Sequence, residues 1–304
     1  MMSAKNTAEE KEGNNSRKNL GRRSFLKWGL GTAVAGLVGW GGYACGLEPH
    51  WVQVVRRRLP IRYLPSGLEG KTLVQISDLH VGPVVDRDYI IATLERVNSL
   101  EPDILVITGD FMTCDGNEQL DQLQVVLEHL KPANLAALAI FGNHDYGERW
   151  MRDDVADHLA RRLPNLGIRV LRNEVATVDG LCVAGIDDYW GTNFHPSEAL
   201  TSLRADQANL VLCHNPDVCD LDVWDGYQGW ILSGHTHGGQ CRFPFVGAPI
   251  LPVKNKKYVS GELDLQDGRR LYINPGVGYL RRVRFCVRPE ITVFTLTRDS
   301  ANEQ

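Results

Sequence analysis

The chain has 304 residues, of which 43% are hydrophobic and 23% are charged, and its formal net charge is -4. This composition is ordinary for a globular protein, and it argues against a disordered chain and against a nucleic-acid-binding module. The seven cysteines are not spaced as C-x-x-C, which argues against a structural zinc site or a redox motif.

The first predicted element is a signal or an anchor near the N-terminus. Residues 1–20 are polar, Arg22 and Arg23 follow, and residues 28–47 carry no charge. Basic residues before an apolar run are typical of an export signal, and this pair resembles a twin-arginine signal. A run of about 20 apolar residues also suffices to span a bilayer, so a membrane anchor is the alternative.

The processing of this segment stays open. Small residues before Cys45 permit cleavage there, and the same cysteine is a candidate for acylation. We predict that residues 1–47 form a polar N-terminus with a twin-arginine signal or membrane anchor, and that residues 48–304 form one folded domain. The expected partner is the twin-arginine export machinery. The domain is expected to be exported across the bacterial cytoplasmic membrane or anchored to its extracytoplasmic face.

From about Trp51 onward, strand-like runs alternate with helical periodicity. Predicted strands occupy residues 72–77, 104–108, 135–141, 170–178, 182–186, 210–213, 230–233, 271–273 and 291–296. Predicted helices lie at 86–100, around the leucines 120, 123, 127 and 130, and at 155–163. The β-α-β-α-β order at the start predicts an α/β fold with a largely parallel, buried sheet and right-handed crossovers.

Polar clusters follow five of the predicted strands directly. They are Asp78-Leu79-His80, Gly109-Asp110, Gly142-Asn143-His144-Asp145, His214 and His235-Thr236-His237. Because ligands of open α/β sheets bind at the carboxyl ends of the strands, we expect these clusters to converge on one rim. The remaining histidines, at 50, 129, 158 and 195, lie outside these clusters and are interpreted as surface or hydrogen-bonded residues.

The residue types in these clusters predict a metal centre. Carboxylates, imidazoles and one amide without thiolates suit Mn²⁺, Fe or Zn²⁺, and they are too many for one tetrahedral ion. Two ions bridged by Asp110 would be completed by Asp78, His80 and His237 on one side and by Asn143, His214 and His235 on the other. Because side chains of an extended backbone repeat every two residues, both members of Asp-x-His and of His-x-His would point the same way. Core histidines and turn aspartates are the alternative.

These motifs, in this order, resemble the five motifs of the calcineurin-like metallophosphoesterases, over roughly residues 70–300. The resemblance implies a four-layer α/β/β/α sandwich and a two-metal hydrolase. It further implies that a bridging hydroxide attacks the phosphorus while His144 protonates the leaving oxygen. Asp145, where the family more often has Glu, would orient His144 or tune its acidity. A helix N-cap for the segment that begins at Gly147 is the alternative for Asp145.

The exported or anchored chain, with His-Gly-Gly-Gln closing its last motif, is similar to a small bacterial branch described as phosphodiesterases. We therefore predict a metal-dependent phosphodiesterase. One alternative is a membrane-surface pyrophosphatase on a nucleotide-linked lipid such as UDP-diacylglucosamine, as some relatives in the superfamily are. The other is a non-catalytic metal-binding scaffold, which is expected to lack a ligand or His144, and the sequence lacks neither.

Candidate substrate contacts lie outside the five motifs. Residues 187–190, Asp-Asp-Tyr-Trp, follow a predicted strand, and Arg281, Arg282 and Arg284 form a basic group. Arginine suits bidentate phosphate contacts, although a solvated surface is the alternative for this group. The run 56–58, three arginines, would contact anionic lipid if the apolar segment stays in a membrane, or would be exposed on a strand.

Overall fold

The computed structural model describes residues 22–113 and 117–299, so the polar segment 1–20 and Cys114 lie outside the described residues. The chain divides between Gly41 and Gly42 into two compact units. The domain boundary predicted between residues 47 and 48 therefore falls inside the second unit.

The first unit contains most of the helix α1, Arg22–Gly42. The stretch Ser24–His50 is long and apolar enough to cross a membrane by length and composition. Glycine costs a helix about 1 kcal/mol relative to alanine in water. In a bilayer no water competes for the backbone hydrogen bonds, so a glycine-rich apolar sequence can remain helical there. The described side chains are consistent with this, because large apolar groups such as Trp28 are exposed.

The second unit is built on two six-stranded sheets. Its strands are β1 Gln53–Ile61, β2 Thr72–Ile76, β3 Ile104–Thr108, β4 Ala136–Ile140, β5 Ile168–Val170, β6 Glu174–Val178, β7 Leu181–Ile186, β8 Ala208–Cys213, β9 Gly229–Ser233, β10 Gly261–Asp264, β11 Arg269–Ile273 and β12 Glu290–Arg298. Sheet 1 has the order β1-β12-β2-β3-β4-β5, and sheet 2 the order β10-β11-β9-β8-β7-β6. Strands β2 to β5 are parallel, as predicted, whereas β12 runs antiparallel to β2.

Helices cover the outer faces of the sheets. Helices α2 Arg87–Asn98, α3 Asn117–Leu127 and α4 Asp153–Arg162 pack on sheet 1, and the short α5 Pro196–Leu200 packs on sheet 2. Helix α2 begins where the Asp86 carboxylate accepts a hydrogen bond from Tyr89 N at 3.0 Å, which satisfies a free helix donor. The predicted four-layer α/β/β/α sandwich is confirmed.

Alternating residues of each strand pack into different hydrophobic cores. In β2, Leu73 faces the core between the two sheets, while Val74 faces the core under helices α2 to α4. Both side chains are fully buried, and burying an aliphatic side chain of this size contributes about 1.5–3 kcal/mol. This period of two explains why the central strands read as continuous apolar runs.

One predicted strand is wrong. The run 170–178 was expected to be continuous, but β5 ends at Val170 and β6 begins at Glu174 in the other sheet. Asn173 between them has φ 59°, a left-handed conformation that asparagine adopts more readily than most residues. This turn carries the chain from sheet 1 to sheet 2, and the metal centre lies where the two sheets share a rim.

Candidate metal centre

Five loops bring the predicted ligands to one rim of the sandwich. Three loops follow β2, β3 and β4 of sheet 1, and two follow β8 and β9 of sheet 2. Each ligand side chain belongs to a residue that is at most 4% exposed: Asp78, His80, Asp110, Asn143, His214, His235 and His237. The structure thus gathers all the predicted ligands in one buried site.

Asp78, His80 and His237 form the first cluster. His237 Nε2 lies 3.4 Å from Asp78 Oδ1 and 3.0 Å from His80 Nε2. Two neutral imidazole nitrogens that face each other at this distance gain little unless one donates or both bind a common cation. The cluster therefore has the donor set and the spacing of one metal site.

Asp110, His214 and His235 form the second cluster. His214 Nε2 is 3.2 Å from Asp110 Oδ2 and 3.3 Å from His235 Nδ1. The opposite nitrogens face backbone carbonyls, Thr108 O at 2.6 Å from His214 Nδ1 and Pro252 O at 3.0 Å from His235 Nε2. Such bonds place the protons on His214 Nδ1 and His235 Nε2, which leaves His214 Nε2 and His235 Nδ1 able to accept a metal ion.

Asp110 lies between the two clusters. Its Oδ2 is also 3.5 Å from His80 Nε2 of the first cluster, and its Oδ1 accepts a hydrogen bond from His144 N at 2.9 Å. Burial opposes ionisation of this carboxyl, but His214 and His144 hold its pKa well below the ordinary value. Asp110 is thus an ionised group within reach of both clusters.

An unsatisfied polar atom of the site fits a divalent ion. Asn143 Oδ1 is buried and has no hydrogen-bond partner within the described part of the chain. A buried polar group left unpaired costs about 1–3 kcal/mol, which a metal ligand bond would offset. Burial lowers the pKa of His80 and of His235 to about 3, so both imidazoles are neutral, the form that binds metals.

The backbone of the ligand motifs is left-handed. The φ angles are 52° at Asp78, 50° at His80, 71° at His235 and 50° at His237. The extended conformation expected for these two motifs is therefore wrong. Left-handed backbone costs an L-residue roughly 1–2 kcal/mol, and strain of this kind clusters at functional sites. Here it brings Asp78 and His80 into the same cluster, whereas His235 and His237 reach different clusters.

Asp145 joins two of the ligand loops. Its carboxylate accepts hydrogen bonds from Phe111 N at 2.8 Å and from Gly142 N at 2.9 Å. The bonds connect the loop after β3 with the loop after β4, so the alternative role of Asp145, as N-cap of the segment that begins at Gly147, is wrong. Burial, with Asp110 nearby, raises the pKa of Asp145 well above its ordinary value.

The predicted basic group separates in the structure. Arg281 and Arg282 are exposed, but Arg284 is fully buried. Its guanidinium donates to three carbonyls of loop 275–278, at 2.9, 3.1 and 2.7 Å, and that loop bonds to the backbone of Asp78. Arg284 therefore supports the backbone of the predicted ligand Asp78, and no local signal in the sequence distinguished it from the neighbouring arginines.

Two stacked tryptophans line the site. The Trp190 ring is 4.5 Å from the His235 ring and stacks on Trp150 at 4.8 Å, and Trp150 is 6.3 Å from His144. Both indoles are partly exposed. Trp190 is one of the predicted substrate contacts, whereas Trp150 was missed, because its neighbours in sequence carry no motif.

The other predicted contacts next to Trp190 support the structure. Asp187 forms an ion pair with Arg172 at 2.9 Å, and Tyr189 packs edge to face on Phe194. Asp188 is fully buried, which raises its pKa to about 7, and it accepts a hydrogen bond from Trp190 N at 2.8 Å. These contacts fix the segment that carries Trp190, one of the two stacked tryptophans.

Comparison with known proteins agrees with the geometry. A sequence model of the family described as calcineurin-like phosphoesterase matches residues 71–239, from the start of β2 to the end of the His-x-His motif. The chain belongs to the calcineurin-like phosphoesterase family. The resemblance stated from the motifs is confirmed, and this member is a metal-dependent phosphoester hydrolase.

Curated relatives match nearly the whole phosphoesterase. The uncharacterized metallophosphoesterase YkuE of Bacillus subtilis is 33% identical over 297 residues, which cover 92% of this chain and 98% of the relative. Phosphodiesterase YaeI of Escherichia coli is 31% identical, with 91% and 99% covered. UDP-2,3-diacylglucosamine pyrophosphatase LpxG of Chlamydia trachomatis is 29% identical, with 82% and 90% covered.

Proposed function

We propose that this phosphoesterase is a dinuclear phosphodiesterase in which Asp110 bridges two divalent ions. The position of Asp110 between two buried donor clusters is the observation that carries the proposal. The first ion would be held by Asp78, His80 and His237, and the second by Asn143, His214 and His235. Carboxylate, imidazole and amide donors suit Mn, Fe or Zn.

Two bound ions would polarise the phosphoryl group and lower the pKa of a bound water. Within the chain, we assign His144 as the general acid for the leaving oxygen. Its backbone is fixed to Asp110 at 2.9 Å, and its ring lies 4.8 Å from that of His80. Asp145 positions His144 through the loop that both occupy, so we propose a positioning role for it.

Hydrolysis of water-soluble substrates tests the proposed function. The full chain in detergent is stripped with a chelator and reloaded separately with Mn²⁺, Zn²⁺ or Ca²⁺, and hydrolysis of bis-p-nitrophenyl phosphate and of the monoester is followed. We expect a transition metal to restore diester hydrolysis and Ca²⁺ to fail, because Ca²⁺ prefers sites of oxygen ligands. Metal binding without hydrolysis of either ester would contradict the proposal.

A second candidate is hydrolysis of a lipid-linked pyrophosphate. The chlamydial relative is named for this activity, and the apolar helix α1 would hold the enzyme near such a substrate. UDP-diacylglucosamine in detergent micelles, assayed beside the soluble diester, separates the two candidates. The non-catalytic scaffold is disfavoured, because His144 and every proposed ligand are present.

The stacked tryptophans are proposed to contact a flat group of the substrate. We expect Trp150→Ala to raise the KM for an aromatic diester about two- to ten-fold with little change in kcat, since one aromatic pair contributes about 0.5–1.5 kcal/mol. Trp51→Ala removes a partly exposed tryptophan that stacks with Arg288 instead, and it serves as the matched control. An equal change in both variants would contradict this role.

Export by the twin-arginine route stays a proposal, based on Arg22, Arg23 and the helix that follows. Replacement of both arginines by lysine is expected to keep the protein inside the cell, because that signal requires the arginine pair. Protease accessibility in spheroplasts measures the location. Unchanged accessibility of the variant would exclude this route.

A further inference from the structure

An exposed loop grows directly out of the metal centre. Loop 240–252 starts after the His-x-His motif and returns at Pro252, whose carbonyl lies 3.0 Å from His235 Nε2. A tight turn at Gly247, φ 77°, closes it, with Phe243 N bonded to Gly247 O at 2.9 Å. The loop is therefore a defined projection from the site.

The tip of this loop is apolar and open to solvent. Phe245 is fully exposed, and Val246 and Ile250 are 74% and 76% exposed. Single exposed apolar residues are common, but three within six residues of one loop beside the metal centre indicate an interaction surface. Their burial against another apolar phase would be favourable.

Basic residues flank the tip. The Gln240 side chain donates to the carbonyls of Arg281 and Val283, at 2.8 and 2.7 Å, and so holds segment 280–288 alongside the loop. Arg242, Arg281 and Arg282 are exposed there. Segments 240–252 and 280–288 contain no aspartate or glutamate. An apolar tip surrounded by arginines complements an anionic lipid surface.

The second unit begins at this same surface. Tyr43 follows α1 directly, and its ring lies 6.4 Å from that of Phe285, which in turn lies 5.4 Å from that of Phe243 on the loop. The carbonyl of Ala44 accepts a hydrogen bond from Arg284 N at 2.8 Å. The first residues of the second unit therefore lie beside the segments that carry the exposed loop and its arginines.

We propose that Phe245, Val246 and Ile250, together with Arg242, Arg281 and Arg282, form a docking patch that inserts into the surface of an anionic bilayer. The patch would hold the opening of the metal centre at the level of lipid headgroups. This inference deepens the proposed function and rests on it for its consequence: the substrates are phosphoesters carried by membrane lipids.

Quenching by labelled lipid tests the docking directly. The full chain is reconstituted in nanodiscs of phosphatidylcholine and phosphatidylglycerol that contain lipid spin-labelled near the headgroup. A fluorescent amino acid replaces Phe245 or, as the matched control, Val125, a 47%-exposed residue on α3. Strong quenching is expected only at position 245, since interfacial residues lie about 5–10 Å deep. Equal quenching at both positions would overturn the proposal.

The arginines are tested by charge reversal. The double variant Arg281→Glu, Arg282→Glu is expected to lower the equilibrium constant for docking by about five-fold for each arginine removed. The effect should vanish in pure phosphatidylcholine. Arg87→Glu on α2 is the matched control, because Arg87 is also exposed and lies outside both segments. Unchanged quenching in the double variant would exclude an anionic lipid surface as the partner.

Hydrolysis in the same nanodiscs separates the two proposals. We expect Val246→Asp to lower hydrolysis of a lipid-embedded phosphodiester at least about ten-fold, while hydrolysis of bis-p-nitrophenyl phosphate stays unchanged, because a charge at a membrane interface opposes insertion. Quenching at 245 without hydrolysis of either substrate would refute the proposed function and leave docking intact. Hydrolysis of the soluble diester with equal quenching at 245 and 125 would refute docking alone.

Discussion

His144→Ala is expected to lower kcat for a diester with an alkyl leaving group about 10²- to 10⁴-fold, the range for loss of a general acid. The metal content should stay unchanged, because the proposed ligands are other residues. Loss should be much smaller for bis-p-nitrophenyl phosphate, whose leaving group departs without a proton. Steady-state kinetics on both diesters, with metal analysis of the same preparations, measure the effect.

The two leaving groups distinguish acid catalysis from a structural role. His144 also lies beside His80 and Asp110, so a disturbed site would slow both diesters equally and release metal. That result would remove His144 from the role of general acid. Asp145→Asn, which keeps the shape of the side chain but weakens the bonds to Phe111 N and Gly142 N, should slow both diesters to a similar, smaller extent.

Asp110→Asn is expected to have the largest effect on the metal centre. The variant keeps the shape of the side chain but removes the negative charge that lies within 3.5 Å of both His80 and His214. Loss of an outer hydrogen-bond partner lowers metal affinity about 10- to 100-fold, and loss of a shared ligand should exceed this. We expect fewer than two ions per chain and no measurable diester hydrolysis.

Asp188→Asn is the matched control for Asp110→Asn. Both carboxyls are buried near the metal centre, but Asp188 belongs to neither donor cluster and its pKa is already raised to about 7 by burial. Its replacement should preserve the metal content. A full complement of metal in Asp110→Asn, with circular dichroism unchanged, would show that Asp110 does not bridge the ions.

Much of the fold was predictable because its signals are local. Strand β3 was predicted to the residue, since four apolar residues and a threonine between polar turns allow little else. Helix α2 was predicted within two residues at each end from its apolar spacing. Strand β1 was not predicted as such, because its arginines at 56–58 obscure the pattern on a strand with one exposed face.

The candidate ligands were also predictable, because each follows a strand and the residue types are restrictive. Their geometry was not. The left-handed backbone at Asp78 and His80 depends on the loops packed around them, including loop 275–278, which lies about two hundred positions later in the chain. A spacing of two residues is compatible with extended and with curled backbone, and only the surrounding contacts select one.

By itself, the sequence determined most of the strands and helices, the family and the set of polar residues at the strand ends, because these depend on neighbours along the chain. The tertiary structure decided what depends on distant contacts. It divided the strands between two sheets at Asn173, buried Arg284 beneath the metal centre, and placed Trp150 beside His144. It also brought loop 240–252 next to Tyr43, since backbone hydrogen bonds between remote segments, rather than any local pattern, join them.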